Sequence, residues 1–110
     1  MKSKLLILIL SSNLFASSYG ELLFNGNCIT CHSANNLNKS APTIKEIQKN
    51  YKNAFPLKND FVSYMSKWVL LPNEATSLMR DSIKKYDLMP NLVFDIETLE
   101  EISGYIYEME

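Results

Sequence analysis

Two thiols and an imidazole fall within five consecutive residues, Cys28-Ile29-Thr30-Cys31-His32, and the chain has no other cysteine and no other histidine. Thiols three positions apart sit on one helical turn, where each can add to a vinyl group of a haem. A histidine directly after the second thiol can then reach the iron as an axial ligand. C-x-x-C-H is the spacing of covalent c-type haem attachment, and histidine is one of the few side chains that hold haem iron. Three other chemistries use parts of the same run. A thioredoxin-like redox dithiol expects a βαβ setting, and no strand–helix–strand pattern surrounds Cys28 and Cys31. A structural zinc needs four ligands, and no second Cys/His pair exists to complete them. A disulfide between Cys28 and Cys31 would close a very short loop and stabilise little. Haem attachment is the reading that uses all three side chains.

The elements that must position this run read as helices throughout, with no convincing period-two strand. The spacing predicts a first helix over about Tyr19 to Asn27, feeding Leu22, Leu23 and Phe24 into the motif. Residues 33–43 are a polar stretch of turn formers that includes Pro42. A short helix follows with Ile44, Ile47 and Tyr51 on one face. Asn59 or Asp60 is placed to cap a further helix carrying Phe61, Met65, Trp68 and Val69, which Pro72 stops. Asn73 is placed to cap another, with Leu78, Met79 and Ile83 inward. The last helix starts at Asp95, with Phe94 and Leu99 spaced as a hydrophobic staple and a stripe of Leu99, Ile102, Tyr105 and Ile106. The expected class is all-α, with four to five helices in one domain over residues 19–110.

Residues 1–18 read as a cleaved signal peptide. Lys2 and Lys4 precede the unbroken apolar run Leu5–Leu10, Leu14-Phe15 extends it, and Ala16 to Ser18 supply small residues for cleavage. The run is well short of the roughly 20 residues that span a bilayer, so no membrane span is expected after processing. Export places the chain outside the cytoplasm, in a bacterial periplasm. What remains is small and mildly acidic, which speaks against nucleic acid as a partner. The balance is uneven. Lys39, Lys45, Lys49, Lys52 and Lys58 face only Glu46 in the middle, whereas nine carboxylates crowd residues 74–110. The lysines form either a docking face for a redox partner or an ordinary solvated surface.

Around the pentapeptide the chain resembles the class I monohaem cytochromes c, the short periplasmic bacterial type, over essentially all of residues 19–110. Gly20-x-x-x-Phe24-x-x-x-Cys28-x-x-Cys31-His32 looks like the family's N-terminal helix. Ile102-x-x-Tyr105 stands where the family packs an apolar–aromatic pair of its C-terminal helix against that glycine and aromatic. The resemblance implies a small cytochrome c fold wrapped around one haem c, bound through Cys28 and Cys31 with His32 as proximal ligand. It also implies a methionine ligand from a loop before the last helix, and Met89-Pro90 is such a site, because Pro90 pushes Met89 toward an extended conformation. Met65 and Met79 read instead as core filler. Pro42 resembles the family proline whose carbonyl accepts from the proximal histidine. Tyr51 and Trp68 are placed as donors to the haem propionates or as core aromatics. Residues 44–86 carry no subfamily fingerprint.

These resemblances imply a one-electron carrier, not an enzyme, and a monomer that serves periplasmic redox proteins or membrane respiratory complexes. The alternative is a haem-based sensor or gas-binding module with a labile sixth ligand. A peroxidase-like site is disfavoured, since no second histidine exists to act distally.

Overall fold

The computed structural model describes residues 19–33 and 40–110, and within them the chain is all-α, with five helices, one 3-10 turn and no strand. The leader read over residues 1–18 lies outside the described residues, as do residues 34–39 of the polar stretch, Lys39 among them. Helix α1 covers residues 19–27, α2 Ile44–Ala54, α3 Lys58–Leu70, α4 Arg80–Tyr86 and α5 Ile96–Glu108.

Helix starts follow side-chain caps in two cases and depart from the expected caps in two others. Thr43 accepts from the Glu46 N–H and opens α2. Asp95 accepts from the Thr98 N–H at 2.8 Å and opens α5, as its position before an apolar stripe predicts. Helix α3 begins earlier than a cap at Asn59 or Asp60 would set it. Its N-cap is Leu57, which supplies no side-chain bond. Asn73 does cap, accepting from the Ala75 N–H, but the turn it starts is a 3-10 segment, Glu74–Thr76. The α4 helix proper begins only at Arg80, so Met79 is its non-helical N-cap (φ −131°, ψ 59°) and not an inward helical residue. Ser77 competes here. Its hydroxyl takes the Met79 N–H at 2.9 Å and turns the chain before the helix can continue.

Helix α3 packs along α5. Phe61 is fully buried and meets the Tyr107 ring edge-on at 5.0 Å, while Lys58 pairs with Glu108 at 2.8 Å. Gln48 of α2 donates to the carbonyls of Ile106 and Met109, satisfying acceptors that the end of α5 leaves without helical partners. The basic stretch also turns toward α5. Lys45 donates to the Glu110 carbonyl and Lys52 sits over the Tyr107 ring at 4.8 Å. With Lys58 ion-paired, three of these lysines meet α5 or the residues just after it, and all three stay exposed.

Helix α1 crosses α5 at Gly20, as the glycine–aromatic spacing predicts. A Cβ at Gly20 would lie 2.8 Å from both the Glu101 carbonyl oxygen and the Tyr105 Cβ. Phe24 fills the space beside the crossing, 2 % exposed, with its ring 5.6 Å from that of Tyr105. Gly20→Ala sets two effects against each other. Alanine favours the helix by about 1 kcal/mol, but the clash is with backbone and cannot be relieved by a rotamer, and overpacking costs about 1–3 kcal/mol. The expected net result is a lower denaturant midpoint for Gly20→Ala. A midpoint equal to or above the parent's would show that the crossing tolerates separation.

Candidate functional site

After α1 the chain makes one more turn. The Cys28 N–H bonds to the Phe24 carbonyl at 2.8 Å, and the Cys28 carbonyl accepts from Cys31 at 3.3 Å and from His32 at 2.9 Å. Cys28 and His32 consequently both reach the wall of one cavity, whereas Cys31 is exposed and outside the lining. Both thiols are free. Burial, with the Cys31 thiol as a smaller cause, pushes Cys28 up to about 11.

The His32 ring is oriented by a bond to the backbone. Its Nδ1 lies 2.8 Å from the Pro42 carbonyl oxygen. A carbonyl can only accept, so Nδ1 carries the proton and the neutral ring keeps its lone pair on Nε2. This is the bond expected of Pro42, and it presets a tautomer suited to metal ligation.

The cavity has a volume of about 120 Å³ and draws on every helix. Phe24 comes from α1; Ile44, Ile47 and Tyr51 from α2; Met65, Trp68 and Val69 from α3; Ser82 and Ile83 from α4; and Leu99, Ile102 and Ile106 from α5. The segments flanking α4 add Met79 on one side and Asp87, Met89, Leu92 and Phe94 on the other. Six of the seven residues of the buried core cluster, all but Phe61, are also cavity wall. The core of this chain is therefore a shell around a space.

All the residues singled out for a haem except Cys31 meet at this cavity: Cys28, His32, Pro42, Tyr51, Trp68 and Met89. Their polar ends differ. Burial, with Tyr64 as a smaller cause, raises the Tyr51 phenol above its ordinary value, so it stays a neutral donor. The Trp68 ring lines the wall, but its N–H bonds to the Asn73 carbonyl at 3.0 Å, which occupies the atom considered for a propionate. Met79 and Met65 reach the same space as Met89. The sequence signal for Met79 was present in Ser77, whose hydroxyl keeps Met79 outside the helix.

A haem is a flat, largely apolar macrocycle with polar edges, and the donor set suits it. The lining is dominated by aliphatic, aromatic and thioether groups, with Asp87 its one carboxylate among the described residues. One imidazole lone pair and one cysteine thiol share that wall with the thioethers. The competing chemistries fare less well. No three His, Cys, Asp or Glu side chains converge among the described residues, leaving the zinc reading without a third protein ligand. A thiol held near 11 is the opposite of the lowered value that activates a redox dithiol. No helix among the described residues is long and apolar enough to cross a membrane. The chain matches no family model, no curated protein and no solved structure.

Proposed function

We propose that this chain is a small c-type cytochrome, an electron-transfer protein carrying one haem joined covalently through Cys28 and Cys31. The observation that carries the reading is the His32–Pro42 bond at the wall of an apolar cavity that also receives Cys28 and Met89. The haem, when bound, supplies the one-electron chemistry. The chain does the rest. Pro42 holds the His32 proton on Nδ1 and raises the basicity of Nε2 toward iron. Met89 offers a thioether from a non-helical loop, a ligand that favours the reduced state. Apolar walls from α2, α3 and α5 would surround the haem and limit the water around it. His32 and Met89 would both ligate the iron and leave no open position for a substrate, so the proposed role is that of a carrier, not an enzyme. Periplasmic redox proteins or membrane respiratory complexes are the partners this chemistry serves, following removal of the leader over residues 1–18.

The test is the oxidised and reduced absorption spectrum of protein made with haem-maturation machinery, together with its mass. The expected result is one covalent haem, a low-spin c-type spectrum, and the weak long-wavelength band of ferric thioether ligation. A high-spin spectrum would favour sensing or ligand binding. A chain without covalent haem would sink the proposal and return Cys28 and Cys31 to the dithiol reading.

A further inference from the structure

The segment that presents Met89 is bracketed by two residues in backbone conformations that side chains rarely adopt. Asp87, the C-cap of α4, has φ 71° and ψ 169°, a region occupied almost only by glycine. Val93 has φ 59°, which for a β-branched residue is an outlier, and it is 88 % exposed, so no burial of its side chain rewards the conformation. Among the described residues these are the only non-glycine positions with positive φ. Both are pinned. The Asp87 N–H makes the last helical bond to the Ile83 carbonyl at 2.8 Å, and the Val93 N–H donates to the Asn91 side-chain oxygen at 3.0 Å. Between the pins Met89 is half-buried at the cavity wall, while Leu92, which also touches the cavity, is 41 % exposed and Leu88 43 %. Strain of this kind persists only where the surroundings over-determine it, and here the two N–H bonds and the half-buried Met89 between them hold the loop.

We infer that Asp87 and Val93 are positioning residues that keep Met89 a displaceable sixth ligand, so that a small nitrogen-donor ligand can take its place on the iron. The inference rests on the haem reading above. Swinging the 87–93 loop outward relaxes both backbones, so part of the thioether's binding free energy is spent on holding strain. Relief of the strain in the closed state tightens the loop over the cavity and weakens any competitor.

The probe is imidazole, titrated into the ferric holoprotein and followed by loss of the long-wavelength thioether band. Asp87→Gly removes the steric cause of the strain, and its imidazole affinity should fall about tenfold, the strain relief offset in part by the freedom glycine adds to the open loop. Val93→Gly should act in the same direction. Asp87→Ala removes the carboxylate but keeps a Cβ, and should bind imidazole as the parent does. Equal affinities for parent, Asp87→Gly and Val93→Gly would overturn the inference. So would an Asp87→Ala shift as large as that of Asp87→Gly, which would assign the effect to charge. A parent that carries covalent haem and shows the thioether band before titration separates these failures from failure of the haem reading itself.

Discussion

Removing both thiols, as in Cys28→Ala/Cys31→Ala, should yield a chain that leaves a haem-maturing host without bound haem and with much of its helix lost. The reason is the coincidence of core and cavity wall. Phe24, Ile44, Tyr51, Met65, Ile102 and Ile106 are nearly the whole buried cluster and all face the same space. Apolar burial contributes about 25 cal/mol per Å², and a domain of this size has only about 5–15 kcal/mol of net stability to lose. Walls left facing a void, or water, cannot supply it. The loss should be uneven. Helix α4 has no buried residue and meets the rest of the protein at the cavity through Ser82 and Ile83, so it and the Met89 loop should melt first. The α3–α5 pair holds contacts that do not depend on the cavity, Phe61 on Tyr107 and Lys58 with Glu108, and should be the last helical remnant. Far-UV circular dichroism and amide exchange would read both effects. Native-like helicity with cooperative melting at the parent's temperature would show that the fold is complete without its cofactor.

What the sequence made legible was whatever one local rule decides. Asp95 caps α5 because a carboxylate before an apolar stripe has a nearby N–H to accept from. Gly20 marks a crossing because only a hydrogen fits between it and the Glu101 carbonyl oxygen. The His32–Pro42 bond was legible through resemblance, not spacing, since nine residues of polar chain separate the two. Failures arose where two local rules compete. Asn73 and Ser77 both offer oxygens to nearby backbone, and the two together break what apolar spacing alone makes one helix into a 3-10 turn, a non-helical Met79 and a short α4. The strain at Asp87 and Val93 was invisible for a different reason. Neither residue type prefers its conformation, so only the closed loop reveals it. The lysine stretch was legible as surface, since Lys45, Lys52 and Lys58 are all exposed, but not their contacts with a C-terminal segment distant in sequence.

Met89→Ala should turn a closed carrier into a ligand-binding haem protein. Three thioethers reach the cavity, and they differ in what moving them would cost. Met65 is 3 % exposed in the middle of α3, where its side chain is part of the packing against α5 and has no freedom to travel. Met79 is an N-cap whose backbone is held twice, by its N–H to Ser77 and by its carbonyl, which accepts from Ser82 and Ile83. Met89 lies in non-helical backbone before Pro90, in a segment with no helical bonds of its own. It is therefore the thioether carried by a loop and not fixed within α3 or at the α4 cap, and its removal should abolish the long-wavelength ferric band, shift the spectrum toward high spin, let carbon monoxide bind the reduced form, and lower the potential that a thioether raises. Met65→Ala should keep the band and lose stability instead, by about 2–5 kcal/mol as for other buried methionines. If Met89→Ala left the spectrum unchanged while Met79→Ala destroyed the band, the ligand would be Met79, and the strained loop would be a lid over the cavity instead of the arm that carries its sulfur.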